Sequence, residues 1–268
     1  MTSYYDKYLK YKNKYLALKG GSESANVSFL ISPQIDSENI NLVDNYGNTK
    51  LMNAIKMGNY EVVKLLLEKG ANIDLVNNYG MTILMYAAEN DNHEVMKLIL
   101  EKYINFNLVD HGGKTALMYA AIHGNYETIR LLLEKGVNIN LQDKYGCTAL
   151  IYAIVKGNIE VIRLLLDKGA DISLADKYGM TTLMVAVEKG NPEVIRLLLE
   201  KGADINLEDT YGMTALIFAI KKGNIENIRL LLENKANINL ANKHGKSALM
   251  YARISNNKDV LQLFENVQ

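Results

Sequence analysis

One cysteine, Cys147, two prolines and no tryptophan occur among 268 residues. A lone cysteine excludes an internal disulfide framework and a thiolate metal cluster, which fits a reducing compartment. Neither sign of charge is in excess: 30 lysines and arginines face 30 aspartates and glutamates, and the formal net charge at pH 7 is zero. No global field draws the chain to nucleic acid or to an anionic membrane, so a partner has to be recognised locally. Long apolar runs are missing too. The opening MTSYYDKYLKYKNKYLALKG lacks the apolar core of a signal peptide. No stretch approaches the roughly 20 apolar residues that span a bilayer. The expectation is a soluble, intracellular, cytoplasmic chain.

What the sequence does have is a period. Gly47, Gly80, Gly113, Gly146, Gly179, Gly212 and Gly245 are spaced by 33 residues, with Thr or Ser two positions later, Leu four later and Ala seven later. A unit of this length cannot bury its apolar face alone, so stacking of neighbours has to supply the core. The hydroxyl column, Thr49 to Ser247, is placed to cap a first helix by satisfying its orphan amides. That helix buries the Leu51 column and keeps the Ala54 column small for close approach, so that a larger residue there costs about 1 to 3 kcal/mol. It ends at a Gly-Asn joint such as Gly157-Asn158, whose asparagine caps a second helix of the form E-V-I-R-L-L-L. Leu65, Leu98, Leu131, Leu164, Leu197, Leu230 and Leu263 are expected as one buried column of that helix. The methionine column Met52, Met85, Met118, Met184 and Met250 is also expected in the core. Glutamates and basic residues three or four apart support the second helix, and Pro192 sits early in it, where a missing amide hydrogen does no harm.

Gly70, Gly136, Gly169 and Gly202 end the second helices, while Tyr103 and Lys235 replace that glycine and mark strained joints. A short turn follows, with Asp110, Asp143, Asp176 and Asp209 as its key residue and Asn77 and Asn242 as amide versions.

Three regions follow from this. Residues 1–20 form a basic helix with a stripe of Tyr4, Tyr8, Tyr11 and Tyr15, which either packs on the first unit or touches a membrane surface or a partner helix. Residues 21–43 form a linker and a degenerate capping unit, and residues 44–268 form seven regular units, the last with polar substitutions suited to an end cap.

The pattern G-x-T-A-L-x-x-A-x-x-x-G-N-x-E-x-x-x-L-L-L-x-x-G-A-x-I-N, repeated seven times, resembles the ankyrin repeat, although the family's T-P-L-H segment reads T-A-L-I at Thr148 and T-A-L-M at Thr115. The T-x-L-M-x-A style, the wealth of asparagine and lysine, and the K-Y-L-K-Y-K-N-K-Y-L opening resemble the ankyrin repeat proteins of giant DNA viruses. The resemblance implies an all-α ankyrin-repeat solenoid of stacked helix-turn-helix units joined by short β-hairpin loops. It also implies a monomeric, non-enzymatic interaction scaffold whose concave face binds another protein, with no nucleic acid and no cofactor. On matching positions that face includes Tyr79, Tyr145, Tyr178 and Tyr211 before the glycines, Met180 and Met213 after them, and Ile122 and Val155 at the ends of first helices. Tyrosines once per unit act either as interface anchors or as a ladder of packed rings. The resemblance further implies asparaginyl hydroxylation at Asn107, Asn140, Asn206 and Asn239.

Catalytic motifs are incomplete. Gly112-Gly113-Lys114-Thr115 ends like a phosphate-binding loop, but Leu108 stands where its first glycine is needed. His93-Glu94 begins a zincin pattern that Lys97 breaks. Cys147 has no histidine placed locally as its base. Paired acidic and basic columns read as helix support, so the chain is not expected to be an enzyme and no metal ligands are assigned.

Overall fold

The computed structural model describes residues 39–102 and 105–265. The expected basic helix of residues 1–20, most of the capping segment 21–43 and the strained position Tyr103 lie outside the described residues. Helices come in pairs. Units 1 to 4 consist of α1 (Lys50–Lys56) with α2 (Tyr60–Glu68), α3 (Ile83–Asn90) with α4 (His93–Leu100), α5 (Ala116–His123) with α6 (Tyr126–Glu134), and α7 (Ala149–Lys156) with α8 (Ile159–Asp167). Units 5 to 7 consist of α9 (Thr182–Lys189) with α10 (Pro192–Glu200), α11 (Ala215–Lys222) with α12 (Ile225–Glu233), and α13 (Ala248–Ile254) with α14 (Lys258–Glu265). Each odd-numbered helix packs on its own partner and on the odd-numbered helix of the next unit, and the even-numbered helices form a second row outside them.

Capping begins each first helix as the hydroxyl column requires. Thr148 Oγ1 accepts the Ile151 amide at 3.2 Å, and Thr214 accepts that of Ile217 at 3.3 Å. The joint asparagines work in two directions. Asn158 Oδ1 caps α8 through the Glu160 and Val161 amides, while its Nδ2 donates to Gly124 O of the preceding unit at 3.3 Å. Asn125 caps nothing with its side chain and is instead buried, donating to Ala88 O at 2.8 Å. Local helix ends and contacts between units are thus made by the same side chains.

The core runs the length of the stack. The Ala54 to Ala252 column is fully buried in all seven units, which is what lets first helices approach closely. Two expectations are corrected here. Leu65 is 39 % exposed and Leu98, Leu131, Leu164 and Leu263 are half-buried, while Leu197 and Leu230 are buried as expected; the column buried in every unit is the next one, Leu66, Ile99, Leu132, Leu165, Leu198, Leu231 and Phe264. Met250, in the last described unit, is 48 % exposed, whereas Met52, Met85, Met118 and Met184 are buried. The hairpins are turns rather than sheets: among the described residues only isolated bridges occur, Val43 with Thr49 and Ala241 with Ser247. At the joint before unit 7, Lys235 takes φ 64, a left-handed backbone that strains any residue with a Cβ.

Candidate functional site

The hairpin tips are built around one buried side chain each. In unit 4, Asp143 Oδ1 accepts the amides of Tyr145 and Cys147 at 2.8 and 2.9 Å, and Oδ2 accepts the Tyr152 hydroxyl at 2.5 Å. Asp110 repeats this with Gly112, Lys114 and Tyr119. In unit 2 the amide version, Asn77, donates to both the Tyr86 hydroxyl and Asn48 Oδ1 at 2.9 Å. Units 5 and 6 keep the two backbone bonds, at Asp176 and Asp209, but place Val185 and Phe218 where the tyrosine hydroxyl belongs. Burial pushes the Asp176 carboxyl above the usual carboxylate range, against the pull of the Met180 and Tyr178 amides.

Successive tips are stitched by backbone. Lys144 N donates to Gly112 O, Lys177 N to Tyr145 O, and Thr210 N to Tyr178 O, each at 2.9 Å. This approach is why the column is glycine: a Cβ on Gly146, whose φ is +78, lies 2.7 Å from Lys177 N. Side chains add a second layer. Lys177 Nζ sits 4.3 Å from the Tyr145 ring centre and 5.0 Å from that of Tyr178. Lys114 Nζ reaches 5.9 Å from both the Tyr145 and Tyr152 rings and 3.8 Å from Asp143 Oδ2. The four ring contacts are cation–π attractions, and the contact of Lys114 with Asp143 is an ion pair.

The expected tyrosine column therefore divides. Tyr145 and Tyr178 are half-buried in a lysine-bridged ladder, whereas Tyr79 and Tyr211 are 46 % and 60 % exposed. Met180 and Met213 are not on the surface. They are 8 % and 6 % exposed, because the residue after each glycine turns inward beneath the hairpin while its amide bonds the turn aspartate. Met81 and Cys147 are buried in the same column, whose mainly apolar composition is the signal that places it inside. Ile122 and Val155 are half-buried against the core at the ends of α5 and α7. Their neighbours in the column are charged and paired across units, Glu89 with His123 at 3.9 Å and Glu188 with Lys222 at 3.8 Å.

The asparagines at the other end of the hairpin hold units together. Asn107, Asn140 and Asn206 each accept, through Oδ1, an amide of the next unit at 2.8 Å, from Asn138, Asp171 and Asn237. Asn239 is exposed in the last hairpin. That linking role was not legible from the sequence, because donor and acceptor lie 31 residues apart.

The outer row carries ion pairs. Arg130 bonds Glu127 and Glu134 within α6, and Arg196 bridges to Glu226 and Lys201 to Asp167 between units at 2.9 and 2.7 Å. The hydrogen bond from Arg130 holds Glu127 below the usual carboxylate range, and that from Lys201 does the same for Asp167. Among the described residues, no group of three or more His, Cys, Asp or Glu side chains is placed to hold a metal ion, and no helix is long and apolar enough to cross a membrane.

Family comparison agrees with this architecture. The model for "Ankyrin repeats (3 copies)" matches residues 14–77, 71–143, 104–176, 136–209 and 183–266. The chain belongs to the ankyrin repeat family. Among solved structures, it is similar to the ankyrin repeat domain of Bcl-3, a member of the IkappaB protein family, with 29 % identity and a TM-score of 0.72 over 82 % of this chain and 99 % of that one. It is also similar to an ankyrin repeat domain from Acinetobacter baumannii, with 33 % identity and a TM-score of 0.65 over 69 % of this chain and 96 % of that one. No curated protein matches the sequence significantly. Ankyrin repeats are generally protein–protein interaction modules and are typically non-enzymatic.

Proposed function

We propose that this ankyrin repeat protein is a monomeric scaffold that holds a protein partner on the concave side of its stack, formed by hairpin tips and first helices. The exposed pair Tyr79 and Tyr211, set either side of the braced Tyr145 and Tyr178, carries this reading. Large amphipathic rings on a backbone already fixed lose little entropy on binding, as interface anchors do. Ile122 and Val155 supply an apolar centre between charged neighbours. The composition and repeat style described above support a virus-encoded protein that acts on host proteins in the cytoplasm.

Quantitative affinity capture from eukaryotic cells tests the reading. The intact chain is compared with Tyr79→Ala, Ile122→Lys, Val155→Lys and Tyr211→Ala combined, after circular dichroism shows both folded. Loss of one abundant captured protein from the variant is the expected result. Identical capture by the two forms overturns the assignment of this face.

A further inference from the structure

Departures from the repeat gather in unit 6. Asn227 of α12 is fully buried, and neither its Oδ1 nor its Nδ2 has a hydrogen-bond partner. The corresponding Thr128 of unit 3 donates to Asp91 of unit 2, so this column faces the preceding unit and Asn227 lies at the interface between units 5 and 6. A desolvated amide without a partner regains hydrogen bonds only when water enters, so its cost is removed by opening that interface. Val161 and Val194 bring no such cost to the two interfaces before it. The other buried side-chain atom without a hydrogen bond among the described residues, His93 Nε2, lies 3.2 Å from Asp91 Oδ1 on a side chain 42 % exposed.

Two further costs fall on the same unit. Lys235 takes φ 64 after α12, at the position where Gly70, Gly136, Gly169 and Gly202 stand in four other units, and its Cβ makes that backbone unfavourable. Asp209 is buried at the tip and accepts the Tyr211 and Met213 amides, but Phe218 stands where a tyrosine hydroxyl meets the turn residue in units 2, 3, 4 and 7. Unit 5 shares only this last deficit, through Val185. Of the other non-glycine residues with left-handed backbone, Asp91 is tied to Thr128 at 3.2 Å, and Asn256 lies in unit 7. Across the junction, Thr210 N donates to Tyr178 O at 2.9 Å, and the ion pair of Arg196 with Glu226 is exposed, of a kind that water screens. Unit 7 packs on unit 6, α13 on α11 and α14 on α12, and so moves with it.

We propose that units 6 and 7 open as one piece at the Asn227 interface while units 2 to 5 stay folded. Opening there hydrates the Asn227 amide and releases the backbone at Lys235, whereas opening between units 3 and 4 or 4 and 5 exposes only valine in the same column. The tip of unit 6 carries Tyr211, 60 % exposed in the closed form. A partner that spans Tyr79 and Tyr211 engages that closed form alone, so the stability of one interface sets how much of the face is complete. The opening itself needs no partner.

Native-state hydrogen exchange on the purified full chain, read by mass spectrometry, tests the proposal. Amides of α11 to α14 are expected to exchange at least ~10-fold faster than those of α5 to α8, with one shared rate across the four helices. Asn227→Val combined with Lys235→Gly slows all four by about tenfold and leaves α5 to α8 unchanged. Uniform exchange from α5 to α14 overturns the proposal, as does fast exchange confined to α13 and α14, which is the fraying of any chain end. A double variant that changes nothing, or that slows α5 to α8 equally, overturns it too, because the cost then does not reside at this interface. None of these results bears on capture by the concave face, so the two readings fail separately.

Discussion

Tyr152 donates its hydroxyl to Asp143 Oδ2 at 2.5 Å, and Phe218, in the equivalent position of unit 6, offers Asp209 no such donor. Phe218→Tyr places one hydroxyl against a buried carboxylate in a frame that already accepts it elsewhere in the chain. A hydrogen bond to a charged group contributes about 1.5 to 3 kcal/mol, so the denaturation midpoint should rise. A midpoint that falls shows instead that unit 6 has no room for the added oxygen.

Asp176 adds a pH dependence of its own. Burial raises its carboxyl, so between the unfolded and folded pKa the folded chain binds more protons than the unfolded one. Stability from this group is greatest below the unfolded pKa and is lost as pH rises through the folded one. Asparagine is tolerated in the turn, since Asn77 Oδ1 accepts the Tyr79 and Met81 amides at 2.9 Å. The stability of Asp176→Asn relative to the parent should therefore climb from about pH 4 upward and then level off. A difference that stays flat over that window rules out a raised carboxyl.

Gly146→Ala meets two obstacles, a φ of +78 and a Cβ 2.7 Å from the Lys177 amide nitrogen. Gly157→Ala meets only the first, at φ +81 with nothing within 4 Å. The left-handed backbone alone costs about 1 kcal/mol, and displacing a tip should at least double that. Chemical denaturation of both variants separates the two effects, and equal losses would show that the tips give way freely.

Asn227 is fully buried in α12, with neither side-chain polar atom hydrogen-bonded. Val161 and Val194 hold this column in the two preceding units, also fully buried, and Thr128 meets the same need by donating to Asp91 Oδ1 at 3.2 Å. Leaving an amide unsatisfied costs about 1 to 3 kcal/mol, so Asn227→Val should stabilise the chain by a comparable amount. Thermal unfolding reads this directly. An unchanged or lower midpoint would mean that the amide is satisfied after all.

Features that act within a turn of their own residue were legible in the sequence. Thr148 caps because the amide that donates to it, that of Ile151, is three residues away, and the αL glycines follow from helix ends. Leu65 was misassigned because three consecutive leucines share one chemistry, and only the phase set by Val63 selects Leu66 as the inward one. Met180 and Met213 were placed outside because the turn aspartate, which draws the following backbone inward, does so through a bond to an amide four residues on. Contacts between units left little local trace. The bond from Asn107 Oδ1 to the Asn138 amide spans 31 residues, and nothing in either asparagine's neighbourhood announces it.

The backbone bonds from tip to tip have a mechanical consequence. Lys144 to Gly112, Lys177 to Tyr145 and Thr210 to Tyr178 join one edge of the stack with short amide links, while the opposite edge has, outside its buried Leu66 column, only exposed ion pairs such as Arg196 with Glu226, 2.9 Å apart, of a kind that contribute little in water. The units are thus leaves sewn along a spine. Bending opens the outer row first and leaves the spacing of the tips nearly constant, so the stack can flex while the tyrosines keep their register.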